Sequence, residues 1–156
     1  MNIAIIVYSR TGHTLSVAEA LGKRLSADGH EVTLEQLEIE GPVDLSAATA
    51  KLKARPSIAP YDGLVLGTPV NGGRMSAAMN SYLEQVPTLH GKRVAFLLTH
   101  FFVRGWGANQ TVRQMTEVCQ SKGADVRGTG TVRWTGLGRR RRISTTLDEV
   151  AGCFDS

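Results

Sequence analysis

Cysteine is scarce in this chain, with only Cys119 and Cys153 among 156 residues. Two cysteines so far apart form neither a disulfide framework nor the paired spacing of a zinc site. Val112, Met115 and Cys119 fall on one face of a predicted helix, which favours a core thiol over a reactive one. We therefore expect no metal centre.

Long hydrophobic runs are also missing. No segment approaches the roughly 20 apolar residues that a bilayer-spanning helix needs, and the first residues show no basic stretch followed by a long apolar one. These absences argue against a membrane protein and predict a cytoplasmic one. A length of 156 residues suits a single domain, 1–156, that is large enough to bury one core.

The residues that two common kinds of phosphate site require are missing from this chain. A phosphorylated receiver domain needs an acidic pair after its first strand and an aspartate after its third, but this chain has Ser9-Arg10 and Thr68-Pro69 at those places. The stretch 67–72 imitates the start of a P-loop, yet Gly73-Arg74 stands where the lysine and the magnesium-binding hydroxyl should follow. A nucleoside triphosphatase is therefore not expected.

What the chain does have is an apolar strand, Ile3–Val7, that runs into a hydroxyl-rich turn and then an amphipathic helix. The hydroxyls of Ser9, Thr11 and Thr14 can converge with the first free amides of the helix on one phosphate dianion. Gly12 permits the close backbone turn. The alternative is an ordinary strand-to-helix turn with a capping threonine.

The pattern Ser/Thr-x-Thr-Gly-x-Thr directly after a first strand resembles the flavodoxin family. The resemblance implies that this turn holds the terminal phosphate of flavin mononucleotide (FMN). The residues concerned are Ser9, Arg10, Thr11, Gly12, His13 and Thr14, of which His13 is expected only to flank the phosphate.

Apolar runs alternate with helical patterns along the rest of the chain. Predicted strands are Ile3–Val7, Glu31–Leu37, Gly63–Gly67, Val94–Leu98 and Asp125–Val132. Predicted helices follow the first turn, lie around Leu45–Ala54, cover Met75–Val86 and Ala108–Lys122, and begin near Thr145. Right-handed crossovers between such units favour a three-layer α/β fold, a flavodoxin-like open sheet of five parallel strands in the order 2-1-3-4-5.

In such a sheet the ligand lies beyond the carboxyl ends of the strands, so two further loops matter. The loop after the third strand has two glycines that allow close backbone approach, and it either cradles a flat ring or is a plain connection. Its candidate cofactor contacts are Thr68, Pro69, Val70, Asn71, Gly72 and Gly73. The loop after the fourth strand contributes Thr99, His100, Phe101, Gly105 and Trp106.

Aromatic residues gather in this last loop. Phe101, Phe102 or Trp106 either stacks on the flavin ring or packs as a core side chain, and the stacking tyrosine common in the family has no obvious match. His100 is the candidate catalytic residue, because its titration range suits proton delivery; the alternative is a structural histidine.

Basic residues outnumber acidic ones by 18 to 14, whereas flavodoxins that act as low-potential carriers are typically acidic. Arg139–Arg142 is the densest basic run, and Arg74 and Arg104 lie in the two flavin loops. These cations attract an anionic donor or partner, or the run is a solvated loop. Nucleic-acid binding is not favoured, because no known reading module accompanies the single short run.

The sequence thus predicts an FMN-binding redox protein, a monomer or homodimer. One interpretation is a small oxidoreductase that passes electrons from NAD(P)H to a quinone-like or other small-molecule acceptor. The other is a non-enzymatic carrier that docks to a redox partner protein.

Overall fold

The computed structural model describes residues 1–101 and 106–155, and of Trp106 it describes the backbone alone. Strands and helices alternate along most of this length. In chain order they are β1 (Asn2–Val7), α1 (His13–Ala27), β2 (Glu31–Gln36), β3 (Gly63–Asn71), β4 (Arg74–Met75), α2 (Ala77–Gln85), β5 (Arg93–His100), α3 (Trp106–Ser121), β6 (Asp125–Arg133) and α4 (Arg139–Gly152).

Five of the strands form one parallel sheet in the order β2-β1-β3-β5-β6, and the two-residue β4 pairs antiparallel with the end of β3. The order confirms the predicted 2-1-3-4-5 arrangement of main strands. Ile3 of β1 lies between Val32 of β2 and Gly63 of β3. Each central strand is apolar on both sides because helices cover both faces.

Alternate residues of the central strands enter two separate cores. Ile5 and Leu97 face α1 and α4, whereas Ile6 and Phe96 face the side of α2. Helix α4 comes very close to β6 at Gly130, where an added Cβ would lie 2.5 Å from a Thr146 methyl carbon. That close approach sets the position of the whole helix, including its arginine-rich first turn.

The predicted helix at Leu45–Ala54 is wrong. This part of the crossover between β2 and β3 is irregular, and its backbone bonds to side chains of α2 and to the segment just after β2, where the amide of Lys53 donates to the carbonyl of Glu38. The Asn80 side-chain amide donates to the carbonyl of Ala48, and the amide of Ala50 donates to Ser81 Oγ. Leu45 is 49% exposed, so the segment has no buried apolar stripe to support a helix.

The boundaries of two other helices also differ from the prediction. Helix α2 begins at Ala77, because Met75 belongs to β4. The chain folds back on β3 through a two-residue hairpin turn at Gly72 and Gly73, whose φ angles are 58° and 80°. Helix α4 begins at Arg139, not near Thr145, so the arginine run is its first turn and not a loop.

No helix within residues 1–101 and 106–155 is long and apolar enough to cross a membrane.

Candidate functional site

The turn after β1 leaves the amino end of α1 without a side-chain cap. Gly12 is the N-cap, with φ 90°, and its own amide donates to Ser9 Oγ over 3.1 Å. The first turn of α1 contains no acidic residue. Its leading amides have no acceptor within the helix and need one from outside, which suits a phosphate dianion.

A buried hydroxyl pair joins this turn to the end of β5. Thr14 Oγ1 and Thr99 Oγ1 are 2.7 Å apart, and both residues are buried. If the Thr99 hydroxyl donates to Thr14, the proton of Thr14 is free to bond an anion in front of the helix. The pair therefore ties two of the predicted loops together.

The predicted second loop is mostly a strand. β3 continues past Gly67, with Pro69 paired to Thr99, and reaches Asn71 before the chain turns at Gly72. The Thr68 hydroxyl is buried and lies 2.9 Å from Ser76 Oγ and 3.0 Å from the Ser76 amide, which donates to it. Thr68 thus supports the start of α2.

A cavity of about 250 Å³ opens where these segments converge. It lies at the carboxyl edge of the sheet, where parallel α/β folds bind their ligands. Its lining consists of Ser9, Arg10, Thr11, His13, Thr14, Leu45, Pro69, Val70, Asn71, Gly72, Thr99 and Phe101. All of these except Leu45 are sequence-predicted site residues.

The entrance to the cavity is apolar on two sides. Leu45 comes from the irregular crossover and Phe101 from the end of β5, and they are 49% and 48% exposed. Sequence reasoning missed Leu45 because it assigned that segment to a helix. Phe102, Arg104 and Gly105 lie outside the described residues, as does the side chain of Trp106, so their predicted roles stay predictions.

His13 takes part in an aromatic stack. Its ring lies on Trp134 with 4.2 Å between centroids and 14° between planes, and it meets Phe101 edge to face with 5.5 Å between centroids. The guanidinium of Arg139 covers Trp134 at 4.6 Å. Burial, and then the charge of Arg139, lowers the pKa of His13, so its imidazole is neutral near pH 7.

Trp134 is the second residue that sequence reasoning missed. It follows β6 directly, and its amide donates to the carbonyl of His100 over 2.7 Å. The rule that ligands gather beyond the carboxyl ends of strands also applies to this last strand, and it could have found Trp134.

His100 projects to the opposite side of the sheet from Thr99. It follows Thr99 on β5, and because successive strand residues point to opposite faces, it projects to the side of Leu98 while Thr99 meets Thr14. Four predicted site residues that the structure describes in full do not line the cavity: Gly12, Thr68, Gly73 and His100. The role of His100 in proton delivery stays a prediction.

Arg74 lies next to the site and is hydrogen-bonded to the crossover between β2 and β3. Its Nη2 donates to the carbonyl of Ser46 over 2.6 Å and so holds the irregular crossover against the β3–β4 turn. It lines a smaller cavity of about 120 Å³, which shares Leu45 and Asn71 with the larger one.

Within the described ranges, no group of three or more His, Cys, Asp or Glu residues is placed to hold a metal ion.

Comparison with known proteins adds family information to this geometry. The model of the family described as NADPH-dependent FMN reductase matches residues 1–132. An NAD(P)H dehydrogenase (quinone) of Brucella anthropi is 27% identical over 99 residues, which cover 59% of this chain and 50% of that protein. The chain therefore spans about half the length of this curated relative.

Solved structures show the same fold. The oxidised flavodoxin 1 of Bacillus cereus superposes with a TM-score of 0.71 at 18% identity, covering 99% of this chain and 97% of that one. A flavoprotein of Lactobacillus acidophilus, solved in complex with FMN, gives 0.68 at 19% identity and covers 83% and 92%. At these identities the likeness shows the fold alone.

Proposed function

We propose that this chain is an FMN-dependent oxidoreductase that passes electrons from NAD(P)H to a quinone-like acceptor. The premise is that the chain belongs to the NADPH-dependent FMN reductase family. The observation that carries the proposal is the cavity at the carboxyl edge of the sheet. It combines an uncapped helix terminus at one end with an apolar entrance at the other.

The phosphate end of the cavity fits the FMN phosphate by its chemistry. Ser9, Thr11 and Thr14 supply hydroxyls, and α1 supplies amides that lack internal acceptors. The positive end of the helix dipole favours a dianion there, and no acidic residue in the first turn opposes it.

The other end fits a flat ring. Pro69–Gly72 would hold one edge of the isoalloxazine, and Phe101 and Leu45 would cover its apolar part and exclude water. When bound, FMN supplies the redox chemistry, while the protein contributes orientation and local polarity. Leu45 and Phe101 are both about half exposed, so a second flat molecule could reach the ring from solvent.

The Brucella anthropi relative is named for NAD(P)H and quinone, and we extend that donor and acceptor to this chain as part of the proposal. Cys119 and Cys153 are unpaired, which suits the reducing cytoplasm in which we place this activity. A monomer or homodimer would suffice, because the described residues of one chain already enclose the cavity.

A carrier without enzymatic activity is the second candidate. The observation that favours it is the row of exposed arginines on α4 beside Trp134, which could receive a protein partner next to the site.

The two candidates separate in one assay. The FMN-loaded protein is mixed with NADPH, with and without a soluble quinone, and absorbance at the NADPH band is followed. Steady oxidation that requires the quinone supports the oxidoreductase. A protein that binds FMN but leaves NADPH unchanged under both conditions is a carrier.

A further inference from the structure

The loop between β6 and α4 holds an apolar side chain in water. Leu137 is 96% exposed, and it lies between Gly136 and Gly138 at the tip of this loop. No other large hydrophobic residue in the described part of the chain reaches that exposure. A single exposed leucine is common on protein surfaces and adds nothing to the stability of the fold, so its significance depends on the residues around it.

The loop that presents Leu137 is fixed. Arg142 donates to the carbonyls of Arg133, Thr135 and Leu137 from its Nε, Nη2 and Nη1 atoms. The Thr135 hydroxyl donates to the carbonyl of Phe101, which lines the cavity. An anchor that is already ordered loses less conformational entropy on binding than one on a loose loop.

Positive charge surrounds this tip without local compensation. Arg139, Arg140 and Arg141 are exposed in the first turn of α4, and that turn contains no acidic residue. The first acidic residue along the helix, Asp148, pairs with Arg24 of α1. Arg139 and Arg142 bond to the loop before α4, but no such bond among the described residues accounts for Arg140 and Arg141, and cations are unfavourable at the amino end of a helix.

Two partly buried arginines add to the same field. The Nε of Arg133 is buried and has no hydrogen-bond partner among the described residues. Burial, and then the charges of Arg133 and Arg139, lowers the pKa of Arg142. The contribution of Arg133 and Arg139 to that shift reflects repulsion between neighbouring cations of the cluster.

We infer that Leu137, Arg139, Arg140 and Arg141, which we term the α4 surface, form the docking site of an acidic protein. The complementary partner carries an apolar pocket for the leucine with carboxylates around it. A small anion such as a nucleotide would need a concave site, whereas Leu137 stands on a convex tip.

The location suits electron exchange with the proposed FMN site. Arg139 covers Trp134, Trp134 stacks on His13, and His13 lines the cavity. A protein docked on the α4 surface therefore lies next to that cavity. The exchange of electrons rests on the proposed function, but the docking does not.

The test uses the full chain loaded with FMN and a plant-type [2Fe–2S] ferredoxin as the acidic probe, with affinity measured by calorimetry at low and high salt. One variant is Arg140→Gln/Arg141→Gln and another is Leu137→Ala; all three positions are exposed, so the fold should be retained. The control is Arg55→Gln/Arg113→Gln, which removes the same charge from two exposed positions outside the α4 surface.

We expect the α4 double variant to bind about tenfold more weakly at low salt, and less so at high salt. Leu137→Ala should weaken binding about fivefold at both salt concentrations, because it removes an apolar anchor. The control should change affinity by less than about twofold.

Three results would overturn the proposal: no measurable binding to the ferredoxin, an equal loss in both double variants, or full affinity in Leu137→Ala. A raised KM for NADPH in the α4 double variant, with ferredoxin affinity unchanged, would reassign the surface to the nucleotide. Oxidation of NADPH by the chain alone is measured in parallel, so a failure of the proposed function is seen separately.

Discussion

Helices α1 and α4 begin in the same way. Each starts at a glycine with positive φ, 90° at Gly12 and 82° at Gly138, and in neither does a side chain cap the first amides or an acidic residue occupy the first turn. Helix α2 differs, because Ser76 Oγ accepts from the Met79 amide. The two uncapped helices thus share a backbone that favours negative charge.

Their side chains make the difference. The start of α1 is neutral and lies beside a cavity, next to the hydroxyls of Ser9 and Thr11. The start of α4 carries Arg139–Arg142 and follows the convex tip at Leu137. By our two proposals, the same kind of helix terminus therefore serves a small anion in a cavity in one place and a macromolecular surface in the other.

The largest expected effect is a loss of FMN affinity when the hydroxyls at the start of α1 are removed. Replacing Thr11 and Thr14 with alanine should weaken FMN binding by at least about 100-fold, because each lost hydrogen bond to a charged phosphate costs about 1.5–3 kcal/mol. Riboflavin, which has no phosphate, should lose far less. Fluorescence titration of both flavins measures this.

Thr33→Ala, at an exposed position on the edge strand β2, is the control and should bind both flavins as the parent does. An equal loss of FMN and riboflavin in the double variant would refute the phosphate site.

The second prediction compares the two glycines directly. Gly12→Ala and Gly138→Ala should each destabilise the fold by about 1–2 kcal/mol, because alanine rarely adopts positive φ. Neither added methyl group meets a severe clash: the space around Gly12 is open, and at Gly138 the nearest atom is 3.6 Å away. Only Gly12→Ala should also weaken FMN, as thermal unfolding combined with flavin titration will show. Loss of FMN in both variants would mean that the two termini are not independent.

The third prediction concerns His13, which touches both regions. The pKa of His13 in the folded chain lies below the unfolded value near 6.5, so the unfolded chain binds more protons at this site. The free energy of unfolding therefore rises as the pH increases from the folded pKa to the unfolded one. His13→Gln should flatten the rise in urea midpoint of the FMN-free protein between about pH 5 and 7. Arg139→Gln should raise the pKa of His13 in an NMR titration. An unchanged slope in His13→Gln would contradict the shift.

The smallest expected effect lies within the arginine run. Arg142→Gln should lower the Tm, because Arg142 holds three backbone carbonyls of the loop before α4. Arg140→Gln should raise the Tm by about 1–2 °C, because it removes a cation from the amino end of a helix. Differential scanning calorimetry at low salt measures both. A fall in Tm for Arg140→Gln would show that this arginine has a structural role.

Sequence reasoning predicted a parallel sheet because the continuous apolar runs of β1, β3 and β5 are typical of strands covered on both faces, and right-handed crossovers favoured the order that the structure shows. It failed at Leu45–Ala54, where side chains of α2 replace the hydrogen bonds that a helix would have made. Local pattern could not reveal bonds to residues about 30 positions away along the chain.

The sequence by itself determined the parts of the site that are contiguous: the hydroxyl turn Ser9–Thr14, the turn at Gly72 and Gly73 though not the hairpin it makes, and the order of strands that brings them to one edge. Local residue types suffice there, since each loop joins a strand to the next element within a few residues. Only the tertiary structure decided which distant residues complete the site. Leu45 enters the cavity, Trp134 stacks on His13, and Thr99 bonds Thr14 because packing across the sheet brings them together, and no local periodicity records such contacts.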